Sequence, residues 1–272
     1  MSNTTHVGFI GLGAMGTSMA KHLQAKGVLR VVGNRTQQKA VQIAQELSVT
    51  TASTFADFAD CDVVVLCVSK DADVLQCCKD LSQVLSPGSV VIDHSTVARA
   101  TAQQAYALLQ EKDIAFLDAP VSGGVEGAKN GKLSVMVGGD ADVLAKMQDV
   151  LSSYALRVTH MGPSGAGQAT KAVNQVLMAG IAQAVCEGLA FGEALGLNPE
   201  SLVPTLAAGA AGNWFLDKRG ATMLAQNYTP GFKSALLLKD LHIVQEMAEQ
   251  LGKRYSVVEQ SLADYQQLVD AG

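Results

Sequence analysis

The chain has 272 residues, 48% hydrophobic and 17% charged, with a formal net charge of −5. That is enough apolar material for one large domain or two of ordinary size. With no basic block, the sequence argues against a nucleic-acid or anionic-membrane partner, whose binders carry clustered Lys and Arg.

The first part alternates strand-like and helix-like segments. The strand candidates are "HVGFI", "LRVVG", "DVVVLCV", "SVVID", "AFLD", "LSVMVGG" and "LRVTHM", separated mostly by helix-period stretches. Short Val/Ile-rich runs between helices predict a parallel sheet covered on both faces. After "HMGPSGAG" the strand signals stop. A long low-charge stretch (about 164 to 194) then predicts a helix, followed by helices over 199–208, 216–226, 234–250 and 256–268. The reading is an α/β protein: a Rossmann-type domain over 1–162, then an all-helical domain over 163–272 that begins with a long interdomain helix. The start "MSNTTHVGF" has no basic segment and no long apolar run, so no signal peptide is expected. The apolar stretch "AVNQVLMAGIAQAVC" carries Asn and Gln and reads as too short to span a bilayer. Five scattered cysteines without metal-ligand spacing predict reduced, mostly buried thiols in a cytoplasmic protein.

Between the first strand and the first helix lies "FIGLGAMGTSMAKHL", with Gly11, Gly13 and Gly16 in GxGxxG spacing. The first glycine allows a tight turn, the second lets backbone approach a pyrophosphate, and the third lets helix and strand pack closely. The N–H groups after the turn then face the phosphates. Gly11, Leu12, Gly13, Ala14, Met15 and Gly16 are therefore candidate dinucleotide-binding residues. The second strand ends in "VVGNRT", with no carboxylate for a ribose 2′-OH. Asn34, Arg35 and Thr36 suit a 2′-phosphate instead, and Lys39 adds charge one turn on. This predicts NADP(H) over NAD(H).

These motifs, with three others, resemble the β-hydroxyacid dehydrogenase family, whose best-known member is 3-hydroxyisobutyrate dehydrogenase. The glycine segment is similar at every characteristic position, including Met15, Met19 and Leu23. "DAPVSGG" (Asp118 to Gly124) resembles the family's substrate-binding segment, "GAGQATKAVNQ" (Gly165 to Gln175) its catalytic segment, and "KDL" (Lys239 to Leu241) its late cofactor and active-site segment.

Lys171 stands out before any resemblance is used. It is the only charged residue from Ser164 to Cys186, with Gln168, Asn174 and Gln175 three or four residues away on the same helical face. A lysine so desolvated has a lowered pKa and suits proton transfer. The resemblance implies that Lys171 is the catalytic acid–base and that Asn174 holds substrate and lysine in register. It makes Ser122, Gly123 and Gly124 a carboxylate cradle, where glycine backbone, N–H groups at a helix start and a hydroxyl suit an anion. Gln175 joins the substrate residues. Thr96 matches a position near the nicotinamide, Val68 and Ser69 border the adenosine half, and Lys239 reaches the active site from the second domain. In "AGAAGNWFLDKRG" Trp214 either lines a small apolar pocket for the substrate's tail or packs helices. The histidines have no ligand spacing, so no metal is expected.

The implied activity is reversible hydride transfer between NADP(H) and a small 3-hydroxy acid/semialdehyde pair such as 3-hydroxyisobutyrate. Reduction of glyoxylate or succinic semialdehyde is the enzymatic alternative, and an NADP-binding module without catalysis the alternative of another class. "NRT" is also found in 6-phosphogluconate dehydrogenase, but this chain is short for it and has Gln168 where that enzyme has His. Imine reductases normally lack the lysine. The apolar long helix predicts a homodimer or homotetramer.

Overall fold

The computed structural model describes residues 5–228 and 231–272; the first four residues of the N-terminal stretch lie outside it. The chain divides into two compact units, Met1–Lys171 and Ala172–Gly272.

In the first unit β1 (Val7–Ile10), β2 (Leu29–Gly33), β3 (Thr50–Thr51), β4 (Val63–Leu66), β5 (Val90–Asp93) and β6 (Ala115–Asp118) pair in parallel, in the order β3-β2-β1-β4-β5-β6. Strands β1, β4 and β5 are buried at every residue, as the continuous apolar runs "VGFI", "VVVL" and "VVID" require of strands covered on both faces. Successive side chains go to opposite faces. Val63 and Val65 pack in one core with Phe9, Met19, Leu23, Ile92 and Leu117, while Val64 and Leu66 pack in the other with Val31, Val91 and Phe116. Helices α1 (Gly16–Ala25), α2 (Gln37–Leu47) and α6 (Ala141–Leu151) cover the first face; α3 (Asp71–Leu81) and α4 (Arg99–Gln110) cover the second. Each fully buried Leu, Val, Ile or Phe contributes about 1.5–3 kcal/mol.

The sheet is not parallel throughout. β7 (Val121–Ser122) and β6 both run antiparallel to β8 (Leu133–Gly138), and β9 (Ala155–Gly162) then pairs parallel with β8. The link from β6 to β8 holds only β7 and the six-residue α5 (Gly124–Lys129), so no long helix carries the chain across the sheet for a parallel return. The two-residue strands β3 and β7 escaped the sequence pattern because they are too short for a period.

The 29-residue α7 (Ala166–Ala194) begins in the first unit and continues into the second. It corrects the expectation drawn from "AVNQVLMAGIAQAVC": that stretch is the middle of a helix about 43 Å long, long and apolar enough by length and composition to cross a membrane. Its second part buries one stripe against the helices that follow and leaves the opposite face exposed. Ala179 packs with Leu237, Leu241, Val258 and Leu262 of α10 (Ser234–Gln250) and α11 (Ser256–Ala271). Val185 and Leu189 pack with Val203 and Leu216 of α8 (Pro199–Ala207) and α9 (Trp214–Leu224). The α7 amide Gln183 donates to Asp264 and accepts from the buried Ser261 hydroxyl. Gly196, at φ +73°, lets the chain turn after α7, and Asn198 caps α8 by accepting from the N–H of Glu200.

Candidate active site

The three glycines of the first turn have three different reasons. Gly11 has φ +101°, and a Cβ there would lie 2.2 Å from the Cys67 carbonyl oxygen. At Gly16 a Cβ would lie 2.0 Å from the Gly11 carbonyl oxygen, while at Gly13 it would meet nothing within 4 Å. The backbone at Gly13 is thus open on the side where a diphosphate needs approach. The helix behind it starts at Gly16, and its N-cap residue, Met15, gives no side-chain cap, so no side chain of that residue competes for the first N–H groups. Leu12 is fully buried and anchors the turn; Ala14 is exposed and Met15 half-buried. The residues present fit a nicotinamide dinucleotide.

At the end of β2, Asn34 braces this turn: its Oδ1 accepts from the Leu12 N–H at 3.0 Å and its Nδ2 donates to the Thr36 carbonyl at 3.2 Å. Arg35 is 80% exposed, with Nη1 3.6 Å from Asp73 Oδ2. Thr36 is exposed at the N-cap of α2. After β4, the Val68 N–H donates to Ser95 Oγ at 2.9 Å, and Ser69 is exposed.

Strands β5 and β6 end in paired aspartates, Asp93 beside Asp118. Asp118 lies against the start of α7, where its Oδ1 accepts from the Gly165 N–H at 2.7 Å and its Oδ2 from the Gln168 N–H at 3.0 Å. A carboxylate at a helix N-terminus meets the positive end of the helix dipole. Glycine is required around it: a Cβ at Gly138 would lie 2.5 Å from Asp118 Oδ1, and one at Gly167 2.8 Å from Oδ2. Burial raises the Asp118 pKa against the pull of these N–H groups. Asp93 is fully buried. Its Oδ1 accepts from the Ser95 N–H at 2.9 Å, Oδ2 has no partner among the described residues, and burial pushes its carboxyl up to about 7.

Next to it, burial lowers the His94 pKa to about 4, so the ring is neutral at pH 7. Its Nδ1 lies 2.6 Å from the Ala119 carbonyl and therefore carries the proton; Nε2, 2.8 Å from the Tyr154 hydroxyl, accepts.

Lys171 is 8% exposed, and its Nζ donates to the Val121 carbonyl at 3.0 Å. That carbonyl belongs to the "DAPVSGG" segment, so one segment both caps α7 through Asp118 and fixes the ammonium through Val121. Ser122 follows, half-buried; Gly123 (φ +126°) and Gly124 (φ +61°) take the chain into α5 through angles that favour glycine. Thr96 is half-buried between the buried Ser95 and Val97.

In the second unit the predicted residues form a chain of contacts of their own. Asn174 Nδ2 donates to Gln175 Oε1 at 2.8 Å, Gln175 Nε2 donates to Asp240 Oδ2 at 2.7 Å, and Lys239 Nζ lies 3.0 Å from Asp240 Oδ1. Gln175 is 2% exposed with both ends of its amide engaged, which makes it a brace for Asp240. Trp214 is 56% exposed at the first turn of α9 and lines no buried cluster, whereas its neighbour Phe215 packs against the α7–α8–α9 core. Among the described residues no three His, Cys, Asp or Glu side chains are gathered as metal ligands. Cys61, Cys77 and Cys78 are buried free thiols, Cys67 is half-buried and Cys186 exposed. Burial pushes the Cys61, Cys67 and Cys77 thiols up to about 12.

The sequence pattern missed the roles of Asp93, Asp118 and Gln168. The available signal was that both "VVID" and "AFLD" end an apolar strand on a carboxylate, at the edge where ligands of parallel sheets bind.

Residues 6–162 match the family profile described as the NAD binding domain of 6-phosphogluconate dehydrogenase, and residues 165–272 that described as NAD-binding of NADP-dependent 3-hydroxyisobutyrate dehydrogenase. An uncharacterized oxidoreductase of Shewanella frigidimarina is 38% identical over 92% of this chain and 88% of its own. The NAD-dependent L-serine dehydrogenase of Pseudomonas aeruginosa is 32% identical over 98% of this chain and 93% of its own. Among solved structures, 3-hydroxyisobutyrate dehydrogenase of Mycobacterium tuberculosis with L-serine has a TM-score of 0.89 at 29% identity, covering 98% of this chain and 94% of that one. The chain belongs to the β-hydroxyacid dehydrogenase family, as an oxidoreductase that works with a nicotinamide dinucleotide.

Proposed function

We propose that the chain interconverts a small 3-hydroxy acid and its semialdehyde, of the 3-hydroxyisobutyrate kind, with NADP(H) as the favoured dinucleotide. The observation that carries this reading is Lys171: a buried ammonium held at 3.0 Å by the Val121 carbonyl, one residue before Ser122. The L-serine and 3-hydroxyisobutyrate dehydrogenases among its relatives support a 3-hydroxy acid. When bound, the dinucleotide gives or takes the hydride at the substrate carbon. Ser122 and the Gly123–Gly124 backbone hold the substrate carboxylate. Lys171 Nζ delivers a proton to the substrate oxygen as that oxygen gains charge, and as a neutral amine takes the hydroxyl proton in the oxidative direction. Thr96 borders the nicotinamide half and Val68 and Ser69 the adenosine half. Asn174, Lys239 and Trp214 keep substrate and cofactor roles by family resemblance. Arg35 grips the 2′-phosphate, which its exposure permits.

The test is turnover by wild type and Lys171→Ala with NADPH/NADP+ and NADH/NAD+, against 3-hydroxyisobutyrate, L-serine, 3-hydroxypropionate, glyoxylate and succinic semialdehyde. The expected result is turnover of a 3-hydroxy acid that falls about 10²–10⁴-fold in the variant while dinucleotide binding survives. Turnover of glyoxylate or succinic semialdehyde alone would move the assignment to a reductase.

The exposed stripe Val173, Leu177 and Ile181 of α7, with Phe191 at 67% exposure, supports a homodimer or larger oligomer. Light scattering at the mass of one chain would withdraw that proposal.

A further inference from the structure

The buried Gln168 side chain grips the loop after β5 from both sides of its central residue. Its Nε2 donates to the Ser95 carbonyl at 2.8 Å, and its Oε1 accepts from the Val97 N–H at 3.2 Å. The carboxamide therefore pairs with the backbone flanking Thr96 much as a neighbouring strand would. Gln168 is 1% exposed, and its own N–H is held by Asp118 at 3.0 Å, so the clamp stands on a fixed base. Around Thr96 the Ser95 N–H goes to Asp93, Ser95 Oγ takes the Val68 N–H, and the Ala98 N–H goes to Asp71.

A long, flexible, buried amide is a poor choice for packing alone, since an aliphatic side chain of equal length fills the volume without polar groups to satisfy. Two convergent hydrogen bonds to one loop give the amide its reason. Gln168 also lies one helical turn before Lys171 on α7.

We infer that Gln168 is a positioning residue for hydride transfer: it fixes the backbone on both sides of Thr96, and so sets the nicotinamide-facing loop in register with the helical turn that carries the proton-transfer group. This rests on the reading above that Thr96 borders the nicotinamide. Without the clamp, the Ser95 carbonyl and the Val97 N–H are buried without partners, and the loop must shift to satisfy them. A displacement of the order of 1 Å at a reacting centre costs about 100-fold in rate.

The experiment compares wild type, Gln168→Met, which keeps the volume and loses both bonds, and Gln168→Glu, which keeps an acceptor for Val97. Four quantities are read: kcat, the primary deuterium isotope effect with reduced cofactor labelled at the transferred position, the affinity for 2′,5′-ADP as a probe of the adenosine half, and the thermal midpoint. Expected for Gln168→Met are a kcat about 100-fold down, a larger isotope effect because hydride transfer has become slower relative to release, and unchanged 2′,5′-ADP affinity. Gln168→Glu should recover part of the loss at kcat. If kcat and the isotope effect match wild type in both variants, the inference is overturned. It is equally overturned if kcat, 2′,5′-ADP affinity and the midpoint fall together, because the amide then only holds the fold. Should Gln168→Met not fold, Gln168→Glu carries the same comparison. A wild-type protein without turnover on any 3-hydroxy acid would overturn the underlying reading, and needs no variant to be recognised.

Discussion

A methyl group on Gly16 would stand 2.0 Å from the carbonyl oxygen of Gly11, whereas one on Gly13 would touch nothing. The two glycines of one motif therefore fail in different ways. Gly16→Ala forces helix and strand apart and should cost about 2–3 kcal/mol of stability, read as a shift in the urea midpoint. Gly13→Ala should leave the midpoint alone and weaken NADPH binding about tenfold or more, read by fluorescence titration. Wild-type affinity in Gly13→Ala would mean that the open face is not where the diphosphate lies.

Arg35 and Asp73 face each other at 3.6 Å on the surface. A 2′-phosphate gripped by Arg35 must compete with that carboxylate and is repelled by it. Asp73→Asn should raise the ratio of kcat/KM for NADPH over NADH by about twofold to fivefold, the worth of one exposed ion pair, and the gain should shrink in high salt. Arg35→Ala should lower the ratio. A ratio indifferent to both substitutions would take the 2′-phosphate away from this corner.

Asp93 and His94 are buried neighbours with opposite pH dependence. The Asp93 pKa rises from 3.8 to about 7 on folding, so its contribution is full below pH 3.8 and is lost as pH climbs towards 7. The His94 pKa falls from 6.5 to about 4, so its contribution is full above pH 6.5 and is lost as pH drops towards 4. Between pH 4 and 6.5 the two slopes oppose each other. In Asp93→Asn only the histidine slope remains, so the stability of the variant relative to wild type should rise with pH over that window, by up to about 1.4 kcal/mol per unit. Urea midpoints of both proteins from pH 4.5 to 7.5 measure this; parallel curves would mean that Asp93 is not held protonated.

Much of this architecture was legible because its signals are local. A glycine turn between an apolar strand and a helix, alternating elements and a lone lysine in an uncharged helix can each be read within a dozen residues. The antiparallel corner at β7 and β8 was not, because direction there depends on pairing across the sheet. The same limit hid the work of Asp118 and Gln168, whose partners lie 47 to 73 residues away along the chain. The motifs place Asn34 and Gln175 among ligand-binding candidates, and in the structure their amides bond backbone and neighbouring side chains. A motif fixes where a residue stands along the chain, and only the fold decides which way its amide turns.

The cap on α7 also has an order in time. Asp118 leaves the ribosome 47 residues before Gly165, whose N–H it receives, and the first unit of a chain generally folds as synthesis proceeds. Starting a helix is its unfavourable step, with a nucleation constant of about 10⁻³. A carboxylate already seated at the strand edge can hold the first turn of α7 as it emerges, so growth of this 29-residue helix starts from the nucleotide-binding end. Chains stalled only after the first turn of α7 has cleared the exit tunnel should lose early protection of this turn on Asp118→Ala, in pulsed hydrogen exchange. The same contact that holds the first turn of α7 in the finished protein thereby gives the growing helix its starting point.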